Sequence, residues 1–251
     1  MVSIVVMVSP GLDPRTSPPE TATGGRADAV AGYSLPLVAL GRYDVGAVRL
    51  AIALGERRGE DVVAVSLGGD GAEAALRRAL AYGATVARRI VVPDPESLDS
   101  ASTAAIVARA VERLRTAGTI VLGSRGGTFE TGALPGWLAH ELGVDLVPDL
   151  PSSAVEAVPE DLAIVSVHEL PSSSWPLPAA SRVLAAHGAE IGTLIPEEME
   201  VDLSALRAAS TLASGIVREV PVRAGSVYRD EPLPALAERA ARLVLTRESD
   251  G

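Results

Sequence analysis

The stretch between residues 40 and 94 alternates helical and extended patterns without a break, and this alternation limits the possible folds more than any other feature of the chain. Residues 40–54 carry apolar side chains at helical spacing, and residues 71–83 repeat the pattern up to a terminating glycine. Residues 61–69 and 89–93 are short apolar runs, as in strands buried on both faces. Strands that alternate with helices predict a parallel sheet, on which ligands bind beyond the carboxyl ends of the strands.

The same alternation continues on both sides of this stretch. The further predicted elements are a first strand at 1–8, helices at 100–117 and 131–142, and a strand at 119–123. We therefore predict a doubly wound α/β domain with a parallel sheet over residues 1–190. Residues 191–251 have too few apolar positions for a core of their own, so they are predicted to form a C-terminal arm. This arm, with a helix at 234–246, would pack on the domain or on a partner subunit.

The composition limits what such a domain can do. The formal net charge of −10 argues against binding to nucleic acid, whose phosphates require a basic face. The absence of cysteine excludes disulfides and cysteine-bound metal clusters. The apolar start at residues 1–8 is too short for a membrane span, so we expect a cytoplasmic protein without membrane insertion. An aromatic share of 3% predicts a core of alanine, valine and leucine.

A glycine-rich loop after the strand at 119–123 is the best candidate for a binding site. Glycines let the backbone approach a ligand closely, and the free N–H groups at a helix start favour a phosphate. Arg125 could add a charge-assisted contact. The alternative interpretation is a flexible loop, in which small residues are needed for flexibility and not for ligand binding. The predicted binding residues in this loop are Gly123, Ser124, Arg125, Gly126, Gly127, Thr128, Thr131 and Gly132.

The ends of two other strands are included in the predicted site. Ser9 follows the first strand, and Ser66 and Leu67 lie at the end of the strand that begins at residue 61. The carboxyl ends of parallel strands meet at one edge of the sheet, so we expect these residues near the glycine-rich loop.

Four short motifs occur in the order that is typical of one known family. They are Gly-Arg-Tyr-Asp at 41–44, Ala-Val-Arg-Leu-Ala at 47–51, Val-Ser-Leu-Gly at 65–68 and Leu-Arg-Arg-Ala-Leu-Ala-Tyr-Gly-Ala-Thr at 76–85. In this order the chain resembles the β subunit of electron transfer flavoproteins. The resemblance implies a Rossmann-like, adenine nucleotide α-hydrolase-like fold and a non-catalytic electron carrier rather than an enzyme.

The resemblance also implies cofactors and partners. In that family an α subunit holds most of an FAD in a heterodimer, and a flavoprotein dehydrogenase donates electrons that pass to a downstream acceptor. Tyr43 matches an aromatic position close to the flavin, and Gly41 stands where the family has an asparagine that helps to hold an adenine nucleotide. The loop from Gly123 to Gly132 corresponds to the one that wraps the phosphate of AMP, or of a second FAD in bifurcating members.

Two segments depart from the family pattern. The loop that ends at Gly132 is shorter than in the family and lacks the family's glutamine and both of its aspartates. In this chain the phosphate of AMP would therefore be bound by backbone N–H groups. Residues 177–190 replace a longer loop with a hydrophobic anchor and a basic tail, which docks acyl-CoA dehydrogenases, and they contain no lysine cluster. Members linked to mycofactocin biosynthesis form a divergent subgroup, and membership of that subgroup is a further hypothesis.

Two alternative functions stay open on the sequence. The first is a stand-alone regulatory module that binds an adenine nucleotide and has no redox role. The second is an enzyme, because Ser-Leu-Gly-Gly-Asp at 66–70 resembles the phosphate loop of ATP pyrophosphatases, although the extra Leu67 alters the spacing. The histidines have no partner at metal-ligand spacing and are interpreted as surface or helix-end residues: His140, His168 and His187.

Overall fold

A computed structural model describes residues 3–12, 38–114, 117–125, 132–169 and 177–210. The strands are β1 (Ser3–Met7), β2 (Pro10–Leu12), β3 (Val38–Leu40), β4 (Asp61–Leu67), β5 (Val86–Ile90), β6 (Ala117–Gly123), β7 (Asp145–Leu150), β8 (Ala163–Val167) and β9 (Gly192–Leu194). The helices are α1 (Asp44–Arg58), α2 (Asp70–Tyr82), α3 (Ser100–Leu114), α4 (Leu134–Leu142), α5 (Ala180–Gly188) and α6 (Leu203–Ala209). Short 3-10 helices lie at Pro95–Ser97, Val155–Ala157 and Pro196–Met199.

Seven of the described strands form one sheet in the order β7-β8-β6-β1-β4-β5-β9, and all its pairings are parallel. Strands β2 and β3 pair with each other as a separate antiparallel ribbon. The parallel sheet with its crossover helices confirms the predicted doubly wound α/β class. Among the described residues, no helix has the length and apolar character that a membrane crossing requires.

The central strands are buried because helices cover both faces of the sheet. Side chains of α1 and α2 pack on one face, and side chains of α3 and α4 pack on the other. Successive residues of a strand point to opposite faces, so Val62 and Ala64 of β4 join the first core, and Val63 and Val65 join the second. The buried apolar residues of the described chain are aliphatic or methionine, which confirms the expectation from the low aromatic content.

Some element bounds differ from the predicted ones for local reasons. Helix α1 begins at Asp44 rather than at residue 40, because the Asp44 N–H donates to the Gly41 carbonyl (3.0 Å) and closes a turn there. Helix α4 begins at Leu134, three positions after the predicted start, with Pro135 in its first turn. Strand β7 was not predicted; it contains Pro148 and lies at the sheet edge, where proline is tolerated.

The described part of the predicted C-terminal arm packs on the domain. Strand β9 pairs in parallel with β5 at the sheet edge. Helix α6 lies against the start of α3, where the Ser102 hydroxyl donates to the Leu206 carbonyl (3.3 Å) and the Asp99 N–H donates to the Ser210 hydroxyl (3.1 Å). The division between residues 190 and 191 stays a prediction, because residues 211–251, with the predicted helix at 234–246, lie outside the described residues.

Candidate functional site

The order of the strands places a crevice at the carboxyl ends of β1 and β6. From β1 the chain proceeds outward to β4 and then β5, and it returns to the other side of β1 to form β6. The helices that connect these strands therefore lie on opposite faces of the sheet. Ligands of open parallel sheets bind at such a switch point. Ser9 follows β1, and Gly123 ends β6, so both residues lie at this position.

A buried carboxylate joins the two strand ends. Asp44, the first residue of α1, is 2% exposed. Its Oδ2 accepts hydrogen bonds from the Ser9 N–H (2.8 Å) and the Ser9 hydroxyl (2.6 Å). The Gly123 N–H donates to the same carboxyl group. Burial raises the pKa of Asp44 above its ordinary value, although these three hydrogen bonds act in the opposite direction.

The close approach of α1 to β6 requires a glycine at position 123. A Cβ atom there would lie 2.5 Å from Asp44 Oδ1 and 2.8 Å from the Cβ of Tyr43. At Gly41 a Cβ would lie 2.5 Å from Asp44 Oδ2. Both distances to the carboxylate are far below van der Waals contact. The turn at residues 41–44 thus fits against the two strand ends only without these side chains.

A second polar cluster lies at the rim of this crevice. The rings of Tyr43 and His168 have their centroids 5.1 Å apart at an interplanar angle of 35°. His168 Nδ1 lies 2.8 Å from the Ser124 hydroxyl oxygen, in a hydrogen bond whose direction depends on the imidazole tautomer. The carboxylate of Asp149 lies 4.0 Å from the same nitrogen. Side chains that follow or end three neighbouring strands, β6, β8 and β7, therefore meet beside Tyr43.

A cavity of about 660 Å³ opens on the α3 and α4 side of these strand ends. Its volume lies in the range of small-molecule pockets. Apolar side chains dominate its wall, and among its described lining residues the charged ones are the acidic Asp44, Asp99 and Glu141. The lining includes Met7, Val8, Ser9, Pro10, Leu67, Leu98, Leu122, Gly123, Leu134, Trp137 and Leu206. The described wall therefore suits an uncharged or aromatic group better than a phosphate.

A family model for the electron transfer flavoprotein domain matches residues 39–167, just over half of the chain. The chain belongs to this family. The matched region runs from β3 to the end of β8 and includes Tyr43, Asp44, Gly123, Ser124 and Asp149, whereas Ser9 and His168 lie outside it. Members of the electron transfer flavoprotein family are electron carriers, and the match supports an electron transfer flavoprotein family role for the chain. No curated protein matches the chain in sequence.

Most of the described candidate residues of this electron transfer flavoprotein domain lie together. Ser9 and Gly123 contact Asp44 and line the cavity, which Leu67 also lines. Gly41 lies against Asp44. Tyr43 and Ser124 belong to the rim cluster around His168.

The remaining candidate residues lie apart from the cavity or outside the described chain. Arg125 is exposed in the turn after β6. Gly132 precedes α4 with φ +73°. Ser66 is buried on the other face of the sheet, because it follows the alternation of Val62 and Ala64. The predicted residues Gly126, Gly127, Thr128 and Thr131 lie outside the described residues.

Two residues of the site, Asp44 and His168, were not predicted from the sequence. Asp44 was in the turn motif, but its burial between β1 and β6 depends on the sheet order. His168 was interpreted as an isolated residue, yet it directly follows β8, whose carboxyl end adjoins that of β6. The position of His168 just after an apolar strand could have identified it, as the same position identified Ser9.

The buried Ser66 hydroxyl has no hydrogen-bond partner among the described residues, which allows a direct test. Ser66→Ala should leave the free energy of unfolding unchanged or raise it by up to about 1 kcal/mol, because it removes an unpaired polar group. Ser166 is an equally buried control whose Oγ accepts from the Asp149 N–H (2.9 Å). Ser166→Ala should lower stability by about 1 kcal/mol. Urea unfolding measures both, and equal losses would show that Ser66 is hydrogen-bonded.

Proposed function

We propose that the chain is the β subunit of a cytoplasmic electron transfer flavoprotein heterodimer. It would carry electrons from a flavoprotein dehydrogenase to a downstream acceptor, with FAD held mainly by an α subunit. The observation that carries this proposal is the position of Tyr43. It lies half-buried at the rim of the switch-point crevice, inside the region that matches the family. An aromatic side chain at that rim can pack against a ring held by a partner.

The residues of the rim fit a flavin ring from a partner subunit. Tyr43 is partly exposed, and its backbone is fixed by close contact with Gly123 and by the turn that Asp44 closes. FAD supplies the redox chemistry when it is bound, and the protein contributes position and electrostatics. In this proposal Asp44 holds the turn, Gly123 allows its approach, and Tyr43 and Ser124 form the surface that faces the flavin.

The described cavity fits an adenosine group better than its phosphate. Its wall is mainly apolar, and its described charged groups are carboxylates. Anions near carboxylates are repelled in a site of low dielectric constant. If AMP binds, we propose that Leu67 and Leu122 contact its adenosine. Its phosphate would then bind to backbone N–H groups of the loop from Gly123 to Gly132 and to the guanidinium group of Arg125. Mass spectrometry of ligand released from denatured protein identifies the occupant.

Co-expression with an α-subunit partner tests the proposed function. We expect a yellow heterodimer of one copy of each subunit, with FAD released on denaturation. Tyr43→Ala should then shift the flavin absorbance and the reduction potential, because it removes the aromatic contact. Tyr82→Ala is the control, since Tyr82 ends α2, the helix that leads to the start of β5. Equal flavin spectra for wild type and Tyr43→Ala would reject the role of Tyr43.

A stand-alone nucleotide-binding module is the second candidate function, because the cavity wall is built within this chain. That function predicts a colourless, stable homodimer that binds an adenine nucleotide and recruits no flavoprotein partner. The same purification separates the two candidates. ATP turnover by the isolated chain would instead support the enzyme alternative suggested by residues 66–70.

A further inference from the structure

We propose that His168 is a positioning residue that fixes the ring of Tyr43, so that the two rings form one shelf for the partner's flavin. This two-ring shelf, Tyr43 and His168, rests on the proposed function, because it needs a flavin held by a second subunit. The inference adds a residue that the sequence motifs do not contain, and it follows from the contacts around the imidazole.

The contact between the rings is close enough to restrict both. A centroid separation of 5.1 Å lies within the range at which aromatic pairs attract each other. Tyr43 immediately precedes α1, and His168 immediately follows β8. Each ring is thus attached to a regular element with a fixed backbone, and each limits the rotation of the other.

His168 is held from its second side by a buried residue. Ser124 is 6% exposed, and its N–H donates to the Val167 carbonyl (2.9 Å), which fixes its backbone beside β8. Its hydroxyl bonds Nδ1 of His168 at 2.8 Å. The His168 side chain is 46% exposed, so part of its ring is open to solvent.

The backbone of Asp149 accounts for the position of its carboxylate beside the imidazole. Asp149 has φ 55°, a left-handed conformation that non-glycine residues seldom adopt. It lies at a register shift between Val147 and Leu150 in β7, and its N–H donates to the Ser166 hydroxyl (2.9 Å). Here the irregularity brings the Asp149 carboxylate to 4.0 Å from His168 Nδ1.

The described charged side chains near the His168 ring are those of Asp149 and Glu169. Asp149 of β7 is the acidic group that faces Nδ1. The neighbouring carboxylate of Glu169 accepts a hydrogen bond from the Ser152 N–H (2.6 Å). Ser124 and Tyr43 complete the described surroundings of the ring. The role proposed for His168 is therefore one of position, which depends on its ring and on Nδ1.

The free chain tests the ring contact without any flavin. Protein labelled with ¹³C-tyrosine gives a resonance for the Tyr43 ring, which Tyr43→Phe identifies by its loss. His168→Ala should shift this resonance because it removes the ring current, whereas His168→Phe should keep a shift of ring-current type. His140→Ala is the control, since His140 pairs with Trp137 on α4 at 6.1 Å. A Tyr43 resonance that stays in place in His168→Ala overturns the inference.

The heterodimer tests the consequence for the flavin. We expect His168→Ala to shift the flavin absorbance and reduction potential in the same direction as Tyr43→Ala. The double variant should show less than the sum of the two shifts, because each removes part of the same shelf. His168→Phe should restore most of the wild-type flavin absorbance. Additive shifts, or a flavin spectrum that His168→Ala does not change, overturn the inference.

The two measurements separate this inference from the proposed function. A wild-type chain that recruits no flavin partner rejects the proposed function and the shelf together, whatever the tyrosine resonance does. A yellow heterodimer that responds to Tyr43→Ala but not to His168→Ala rejects the role of His168 and leaves the proposed function intact.

Discussion

Replacing Gly123 by alanine is expected to lower the free energy of unfolding by about 2 kcal/mol or more, because overpacking a buried contact costs this much. The new Cβ would lie 2.5 Å from Asp44 Oδ1 and 3.0 Å from the carbonyl carbon of Tyr43. The second atom belongs to the backbone and cannot rotate away, so α1 must move relative to β6. Urea unfolding followed by circular dichroism measures the loss.

Gly136→Ala is the matched control for this substitution. Gly136 lies inside α4, and a Cβ there would meet nothing within 4 Å. Alanine in a helix interior is more favourable than glycine by about 0.5–1 kcal/mol, so this variant should be more stable than wild type. Equal unfolding midpoints for Gly123→Ala and wild type would contradict the close approach of α1 to β6.

Removing the Asp44 carboxyl group should have an effect of similar size. Asp44→Ala takes away the acceptor of the Ser9 N–H, the Ser9 hydroxyl and the Gly123 N–H. A donor that loses its acceptor and stays out of water costs about 1–3 kcal/mol; because Ser9 is only half-buried, we expect a total loss of about 2 kcal/mol or more. Asp44→Asn should lose less, because the amide keeps one acceptor oxygen and approximates the neutral carboxyl group.

The difference in stability between wild type and Asp44→Asn should depend on pH. Because burial raises the pKa of Asp44 above its ordinary value, the folded state binds a proton more tightly than the unfolded state. The stabilisation of the folded state by this proton is complete below the pKa that Asp44 has in the unfolded state. It is lost as pH rises through the higher pKa that Asp44 has in the folded state. Wild type should therefore lose stability relative to Asp44→Asn from about pH 4 upward, as urea unfolding at several pH values measures.

Asp202→Asn is the control of opposite sign. Asp202 caps α6, and hydrogen bonds from the Ser204 hydroxyl and from the N–H groups of Ala205 and Ser204 lower its pKa below 3.8. The ionised Asp202 carboxylate therefore stabilises the folded state above the pKa that it has in the unfolded state, and this stabilisation is lost as pH falls. A constant difference between wild type and Asp44→Asn over the whole range would contradict the raised pKa of Asp44.

The elements that repeat a single pattern were the predictable part of the fold. Strands β1, β4 and β6 are continuous apolar runs, and α1, α2 and α3 carry apolar stripes, so each is identifiable within its own segment. Strand β7 contains Pro148 and was missed, because only its place at the sheet edge makes the proline acceptable. Helix α5 was likewise interpreted as a shortened loop, although residues 180–188 are helical.

The candidate site was predictable only where a residue type and a strand end coincide. Ser9 and Gly123 were found because small residues directly follow or end apolar strands. Asp44 was not selected, because nothing in its own segment shows that it is buried between β1 and β6. His168 was set aside for a related reason. Its partners, Tyr43 and Ser124, are distant in sequence and meet it only through the order of the strands.

The sequence by itself determined the class of the fold and the family resemblance, because periodicity and turn chemistry are local properties. The tertiary structure alone decided which strands are neighbours. That order brings β1 beside β6, buries Asp44 between them and places His168 against Tyr43. Contacts between residues far apart in sequence depend on this packing of whole elements, and no single segment of the chain encodes it.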